Sequence, residues 1–182
     1  MLMKIWGNKT ESLFDLWSLE HFISGLTIGT ILCYIMLRYF STQVQKDKVK
    51  QNPHFLFHYF TIILLIAYMW EVLEFYMEAG FTGNQKITYW FQGVEYWLNR
   101  FVTDPMMVAL GAWLALKVDS KAITWSSRAF SPIWLGLHIM LFPHCMYLQN
   151  VLDDALPDTQ MIQAAVSRVF IACTTLISSF LS

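Results

Sequence analysis

The sequence predicts an all-α integral membrane protein, a polytopic helical bundle of about five transmembrane helices. Of its 182 residues, 56% are hydrophobic and only 14% are charged, whereas an average soluble domain has about 25% charged residues. The mean hydropathy is +0.44. Several apolar stretches supply the roughly 20 helical residues that a bilayer core requires. No repeat or low-complexity tract divides the chain, so residues 1–182 are interpreted as a single transmembrane domain.

The predicted spans follow one another along the chain with polar connections between them. Residues 1–20 lack the continuous apolar core of a signal peptide and are interpreted as an interfacial N-terminal segment. Residues 81–95 mix aromatic, glycine and polar side chains, which suits an interfacial connection. The predicted spans are 21–40, about 57–80, 96–117, 132–148 and 161–181.

The distribution of lysine and arginine predicts the orientation. One side of a five-span chain holds seven of these residues, in the loops 38–53 and 117–131, and the other side holds four at most. An excess of Lys and Arg marks the cytoplasmic side. We therefore expect an N-terminus outside and a C-terminus in the cytoplasm, in a bacterial inner membrane. The net charge of −1 gives no basic surface for nucleic acid.

Two carboxylates near the end of the second span are the first candidate site residues. Glu71 and Glu74 stand where hydrocarbon is expected, and a charge near the bilayer centre costs roughly 2.5–3.5 kcal/mol on insertion scales. Glu78 lies one turn further on the same helix face and is interpreted as an interfacial bystander. Such intramembrane acids usually mark a functional site.

Polar residues of the other spans fall at a similar depth. At ~1.5 Å per helical residue, Glu71 lies ~13 Å and Glu74 ~9 Å below the outer end of span two, Asp104 ~12 Å into span three and Arg168 ~10 Å into span five. His21 and His144 lie near the outer ends of spans one and four. The alignment predicts a shared polar layer in the outer half of the membrane.

The residue types suggest roles within this layer. A hard cation such as Mg²⁺, Mn²⁺ or Ca²⁺ takes oxygen ligands, and the candidate ligands are Glu71, Glu74, Asn99 and Asp104. His21 and His144 are candidate proton carriers, which completes a predicted catalytic set of His21, Glu71, Glu74, Asp104 and His144. The candidate substrate-binding residues are Arg168, Asn99 and Arg100. The alternative is a structural carboxylate–arginine network that only ties the helices together.

Two local patterns concern helix geometry. Thr103-Asp104-Pro105 is typical of a helix start, with Asp at the N-cap and Pro at the first helical position. Only 14 residues separate Asp104 from the end of span three, so a helix broken near Asp104 inside the membrane is predicted. Gly25 and Gly29 form a GxxxG pattern, which indicates close helix packing.

The motifs together resemble a known group of membrane proteins. His21-Phe22-Ile23-Ser24-Gly25, Glu71-x-x-Glu74, and Asn99 to Asp104 followed by Gly111 resemble the VanZ-like group of small bacterial membrane proteins, closest to uncharacterised inner-membrane families. A more distant similarity is to base-exchange phosphatidylserine synthases. The resemblance implies a helical bundle with converging His, Glu and Asp residues. Its synthase branch implies divalent-metal-dependent chemistry on a phospholipid headgroup.

Two functions follow as expectations. The first is a divalent-metal-dependent enzyme acting on a phospholipid or lipid-linked phosphate headgroup at the outer leaflet. The second is a non-catalytic protein with an acidic pathway: a small transporter, an ion-conducting oligomer or an accessory subunit. The expected partners are membrane lipid and either a second copy of the chain or another membrane protein.

Overall fold

The computed structural model describes residues 4–40, 49–91, 93–118, 125–126, 128–130 and 132–133. Two short parallel strands, β1 (Lys4–Trp6) and β2 (Ser12–Phe14), precede the helices. The helices are α1 (Leu16–Phe40), α2 (Pro53–Glu78), α3 (Gln85–Trp90) and α4 (Asp104–Lys117), and a π-helical segment (Asn99–Thr103) leads directly into α4. The predicted spans 132–148 and 161–181 lie outside the described residues except for 132–133.

Within the described residues, two helices, α1 and α2, are long and apolar enough to cross a membrane. Only 22% of the most apolar window of α2 is buried inside the protein, and 33% of that of α1. A core helix of a soluble protein would be mostly buried, whereas α2 exposes large apolar side chains such as Leu65, Met69 and Val72. Exposed apolar surface of this extent is suited to lipid rather than to water.

The three long helices alternate in direction. Gly25 of α1 meets Val108 of α4, and Gly29 meets Ala112 one turn further along both helices, so α1 and α4 run parallel. In α2 the order is reversed, because Tyr59 donates a hydrogen bond to the Ala112 carbonyl (2.9 Å) whereas residues later in α2 approach the start of α4. The two candidate membrane spans, α1 and α2, are therefore antiparallel to each other.

Glycine makes the α1–α4 crossing close. A Cβ built on Gly25 would overlap the backbone of Val108, and a Cβ on Gly111 would overlap the backbone of Phe22. The prediction of close packing from Gly25 and Gly29 is therefore confirmed. The apolar core includes part of this crossing and extends toward the C-terminal end of α1 and the N-terminal end of α2. It contains Cys33, Met36, Leu37, Phe55, Tyr59, Ile63, Ala67, Val108, Ala112 and Leu116.

The prediction of a helix broken at Asp104 is wrong. Asp104 has helical backbone angles (φ −69°, ψ −45°), and its N–H donates to the Asn99 carbonyl, five residues back. Pro105 has no N–H for the Phe101 carbonyl four residues earlier, and the Tyr68 hydroxyl of α2 donates to that carbonyl instead (3.0 Å). The chain thus widens into one π-helical turn and stays helical.

The N-terminal part of the chain also differs from the prediction in two respects. Asp15 accepts a hydrogen bond from the Ser18 N–H (3.0 Å), so α1 starts at Leu16 and His21 lies in its second turn rather than at its end. In the segment 1–20, which was predicted to be interfacial, Lys9 and Ser12 are buried (2% and 0% exposed). Residues 4–14 fold against the end of the helices, since the Tyr96 N–H donates to the Lys9 carbonyl (2.8 Å).

Candidate functional site

Three helices each contribute one side chain to a buried group of His21, Glu71 and Asp104. The His21 Nδ1 lies 3.7 Å from the Glu71 Oε1, and the His21 Nε2 lies 3.4 Å from the Asp104 Oδ2. One potential ligand atom from each residue lies within 4.8 Å of the other two. The residues are 5%, 1% and 0% exposed. The close α1–α4 crossing brings His21 and Asp104 to the same level, one turn before Gly25 and Val108.

A single stripe of α2 carries both the apolar core and the acids. Its buried residues are Phe55, Tyr59, Ile63, Ala67, Glu71, Glu74 and Glu78. The spacing of three or four residues keeps them on one helix face. The stripe changes from apolar to acidic after Ala67, which confines the polar layer to one end of the helix.

Buried acids outnumber buried cations around the group. Among the described residues, seven buried carboxylates surround two buried cations, Lys9 and Arg100; the acids are Asp15, Glu20, Glu71, Glu74, Glu78, Glu95 and Asp104. Carboxylates in a low dielectric cannot all stay ionised without compensation. Protons or a bound cation are the available counter-charges for this formal excess.

The two cations are held at one edge of the cluster by Glu78. The Lys9 Nζ lies 2.6 Å from the Glu78 Oε1, and the Arg100 guanidinium donates to the Glu78 Oε2. The Glu95 N–H also donates to the Glu78 Oε2 (3.1 Å). The interpretation of Glu78 as an interfacial bystander is wrong, because its side chain is buried and pairs with Lys9, which lies in the turn between β1 and β2.

A hydrogen-bonded network links the cluster to the start of α1. The Ser18 Oγ donates to the Asp104 Oδ1 (3.0 Å). The Asn99 Nδ2 donates to the Glu95 Oε1 (2.9 Å) and lies 3.4 Å from the Asp15 Oδ2. Burial, and then repulsion by Asp104, raises the pKa of Asp15 to about 7. Burial and the carboxylates around it, Asp104 first, also raise the pKa of Glu95. The network therefore favours protonated acids when no cation is bound.

Several buried polar atoms of the cluster have no hydrogen-bond partner among the described residues. They are both carboxylate oxygens of Glu71, the Asp104 Oδ2, the Glu95 Oε2 and the Arg100 Nε. Buried polar groups are normally satisfied, and an exception calls for an explanation such as a ligand. The Glu71 Oε1 faces His21 and its Oε2 faces the Arg100 Nε, 3.8 Å away. Glu71 thus has one oxygen directed toward His21 and the other directed toward Arg100.

The group His21, Glu71 and Asp104 fits a divalent cation. Ligand atoms at ~2.1 Å from an ion stand ~3.0–3.4 Å apart at octahedral or tetrahedral angles. One atom from each of the three residues lies within 4.8 Å of the other two, so the side chains would draw closer together around a bound ion. The contacts of 3.7 and 3.4 Å use opposite nitrogens of the His21 ring, and only one of these nitrogens would bind the ion. One imidazole and two carboxylates suit Mn²⁺, Zn²⁺ or Fe²⁺ better than Ca²⁺. Three protein ligands leave positions open for water or substrate.

The structure distributes the other predicted site residues as follows. Glu74 is buried beside the group and accepts a hydrogen bond from the Trp70 indole (3.0 Å), but it is not one of the three grouped ligands. Asn99 is buried in the network with Glu95 and Asp15, and Arg100 is paired with Glu78. His144 and Arg168 lie outside the described residues.

Sequence reasoning did not identify Lys9, Asp15, Ser18 or Glu95 as members of the cluster. For Asp15 and Ser18 a signal exists, because Asp-x-x-Ser before an apolar run is a helix-start pattern. It would have placed the start of α1 correctly and made His21 a buried residue. Lys9 and Glu95 lie in irregular segments, where no periodicity indicates burial.

Two pockets reach the group from different sides. A pocket of about 220 Å³ includes His21, Trp17 and Trp70 in its lining and lies between α1 and α2. A pocket of about 240 Å³ lies between α2 and the residues that lead into α4, and Glu71, Glu95 and Arg100 line it. The group is therefore buried but has space beside it.

Comparison with known proteins gives one result. The family model described as "Predicted membrane protein (DUF2238)" matches residues 5–124, more than half of the chain, and the chain belongs to this family. No curated protein and no solved structure matches it. The match supports a helical membrane protein but not a VanZ-like or synthase relationship. The matched region contains every described residue of the buried cluster.

Proposed function

We propose that this member of a membrane-protein family is a membrane-embedded enzyme that uses one divalent cation to act on a phosphate-containing lipid headgroup. The observation that carries the proposal is the group of His21, Glu71 and Asp104. Three different helices bring ligand atoms within 4.8 Å of one another, and Glu71 and Asp104 retain oxygens without hydrogen-bond partners in the described part of the chain.

The chemistry assigned to the cation is that of a Lewis acid. A bound divalent ion polarises a phosphoryl oxygen and lowers the pKa of a bound water so that it becomes a nucleophile. Glu74, which is also buried, would accept a proton from that water as the water oxygen bonds to phosphorus. It would return the proton to the headgroup alcohol as the bond between phosphorus and that alcohol breaks. Arg100 supplies positive charge on the opposite side of Glu71. Because His21 is proposed as a ligand of the cation, we assign proton transfer to Glu74 instead of to His21.

The shape of the buried stripe favours an enzyme over an ion-conducting pathway. Within the described helices, the acids occupy one end of α2, and the same face continues as Ala67, Ile63 and Tyr59, which are 4%, 0% and 0% exposed. Close-packed apolar side chains of this kind leave no polar route along this face of α2 among the described helices. A site at one end of the helices fits a reaction on lipid headgroups at one side of the membrane. From the Lys and Arg count, we assign that side to the outer leaflet of a bacterial inner membrane.

The test combines metal analysis with lipid analysis. The protein is purified in detergent, stripped with EDTA and reconstituted into vesicles of phosphatidylethanolamine and phosphatidylglycerol, with or without Mn²⁺. We expect about one ion per chain and a Mn²⁺-dependent change in the lipid headgroups, detected by mass spectrometry. Glu71→Gln and Asp104→Asn should abolish both.

The matched control is Glu11→Gln, the same kind of substitution at a residue that pairs with Lys4 outside the cluster. This variant should retain both ion and activity. Stripped wild-type protein that changes lipids as fast as the loaded protein would refute a metal-dependent enzyme. Flux of ions through vesicles containing the protein, without any lipid change, would instead support the transporter.

A further inference from the structure

The pocket between α2 and the residues leading into α4 has apolar walls and a charged floor. Val72, Phe75, Trp97 and Phe101 form much of its wall, and Glu71, Glu95 and Arg100 contribute its polar groups. This combination is typical of a site for an amphipathic ligand, because apolar walls hold a chain and a few convergent polar groups fix a head.

The pocket opens on the lipid-facing surface of the protein. Val72, Trp97 and Phe101 are 66%, 59% and 52% exposed, so within the described part of the chain no other residue covers their outer faces. The 26 residues of α2 measure ~39 Å, ~9 Å more than the ~30 Å hydrocarbon core. Glu71 lies ~10 Å before the end of α2, which puts it ~6 Å below the core boundary if the helix is centred. A lipid headgroup drawn slightly inward reaches this level.

The polar groups at the floor offer more acceptors than donors. Both oxygens of Glu71 and the Oε2 of Glu95 accept no hydrogen bond from the described residues, whereas only the Nε of Arg100 is left as a donor. The Nη2 of the same guanidinium contacts the Glu78 Oε2 and lies 3.4 Å from the Glu95 Oε2. A ligand that satisfies this floor must bring several N–H or O–H donors, and positive charge would relieve the excess of carboxylates.

We propose that this pocket is a lateral entry from the bilayer for a phospholipid whose headgroup carries a primary ammonium group. The acyl region lies against Val72 and Phe101, and the ammonium donates to Glu95 and to the Oε2 of Glu71. Phe75, whose ring already lies 5.3 Å from the Arg100 guanidinium carbon, forms an aromatic side of the same space. The inference rests on the proposed function, for which it names the substrate class, because the other oxygen of Glu71 faces the metal group.

Charge and donor count separate the ammonium lipid from its alternatives. An anionic headgroup such as that of phosphatidylglycerol would approach two carboxylates with only one donor to receive it. The quaternary ammonium of phosphatidylcholine carries charge but no N–H, so it leaves the acceptors of Glu71 and Glu95 unsatisfied. A primary ammonium supplies three donors. The pocket should therefore rank phosphatidylethanolamine above both.

The test measures retained lipid by native mass spectrometry of the full-length protein in detergent. Dioleoyl-phosphatidylethanolamine, dioleoyl-phosphatidylcholine and dioleoyl-phosphatidylglycerol are added in equal amounts, to EDTA-stripped and to Mn²⁺-loaded protein. Wild type is expected to retain phosphatidylethanolamine about tenfold over each of the others, the ratio that corresponds to one hydrogen bond to a charged group.

Paired variants separate the pocket from general lipid binding. Val72→Trp fills the pocket and should remove the preference, whereas Leu73→Trp, at a neighbouring lipid-facing residue (55% exposed) that does not line it, should keep the preference. Glu95→Gln keeps an oxygen for Asn99 but loses the charge, and it should bring phosphatidylethanolamine down to the level of phosphatidylcholine. Equal retention of the three lipids by folded wild type, or preference for phosphatidylglycerol, would overturn the proposal.

Metal content, measured on the same samples, keeps this proposal distinct from the proposed function. Protein that binds about one Mn²⁺ per chain without preferring phosphatidylethanolamine refutes the pocket assignment and leaves the metal site standing. Protein that prefers phosphatidylethanolamine but binds no metal supports the pocket and refutes the metal-dependent reaction. Loss of preference in both Val72→Trp and Leu73→Trp would refute the location of the pocket.

Discussion

Two glutamates on the same face of α2, seven residues apart, should differ strongly in how much the same substitution changes the stability of the protein. Glu78 compensates two buried cations, Lys9 and Arg100, and accepts the Glu95 N–H. Glu71 accepts no hydrogen bond from the described residues and lies 3.7–3.8 Å from its nearest charged neighbours. In EDTA-stripped protein, Glu78→Gln should therefore be strongly destabilising and Glu71→Gln close to neutral.

The expected sizes follow from burial. Removing one partner of a buried ion pair costs roughly 3–5 kcal/mol, and the side chains of Lys9 and Glu78 are 2% and 0% exposed. For a chain of this size each kcal/mol changes Tm by about 2–4 °C, so Glu78→Gln should lower Tm by about 6–20 °C. Glu71→Gln exchanges a buried acid that lacks partners for an amide of the same shape, and its Tm should change by less than about 4 °C, or about 1 kcal/mol.

Added Mn²⁺ should narrow the difference in Tm between the two variants. An ion at 100 times its dissociation constant stabilises the state that binds it by about 2.7 kcal/mol, which is about 5–11 °C in Tm. Wild type and Glu78→Gln should both gain this increment, whereas Glu71→Gln should gain nothing. The assay is heating in detergent followed by size-exclusion chromatography, with Glu11→Gln as the control. Equal destabilisation by the two substitutions, or an equal response to Mn²⁺, would refute this division of roles.

Three further predictions concern the surroundings of the group. Gly111→Ala forces a Cβ against the Phe22 backbone, so it should lower stability by about 1–3 kcal/mol. Because it separates α1 from α4, it should also reduce Mn²⁺ affinity. The control Leu110→Ala, at a lipid-facing residue, should leave the Mn²⁺ affinity unchanged. Because the pKa of Asp15 is raised from 3.8 to about 7, its contribution to stability is complete below pH 3.8 and is lost as the pH rises through about 7. The Tm of metal-free wild type should therefore fall between pH 5 and 8 relative to Asp15→Asn, and parallel curves would contradict this. Tyr68→Phe leaves the Phe101 carbonyl without its hydroxyl donor and should lower the free energy of unfolding by about 1–2 kcal/mol. The control Tyr76→Phe should leave thermal stability unchanged.

Depth counting along the sequence anticipated which residues of different helices would meet. Glu71 and Asp104 were placed within about one residue of the same depth, and the structure brings both to His21. The count works because helical rise is constant and because residues in a membrane span have few other conformations. A polar layer could therefore be predicted without knowledge of how the helices pack.

The particular contacts depended on features that hydropathy does not contain. Thr103-Asp104-Pro105 is compatible with both a helix start and a π-helical turn. The π-helical turn is stabilised by the hydroxyl of Tyr68, which donates to the carbonyl of Phe101, 33 residues later in the sequence. Glu78 looked interfacial because the second span ends there, yet Lys9, in the turn between the two N-terminal strands, pairs with it. Such long-range pairing is set by tertiary packing, and no local pattern in residues 4–14 indicates it.

Pulsed electron paramagnetic resonance of Mn²⁺-loaded protein in detergent tests the central claim most directly, since it reports on the atoms bound to the ion. If His21, Glu71 and Asp104 hold the cation, wild type should bind about one Mn²⁺ per chain and show coupling to one imidazole ¹⁴N. His21→Gln should lose that coupling, and Glu71→Gln with Asp104→Asn should lose the ion. A bound ion without nitrogen coupling, or coupling that persists in His21→Gln, would contradict the assignment.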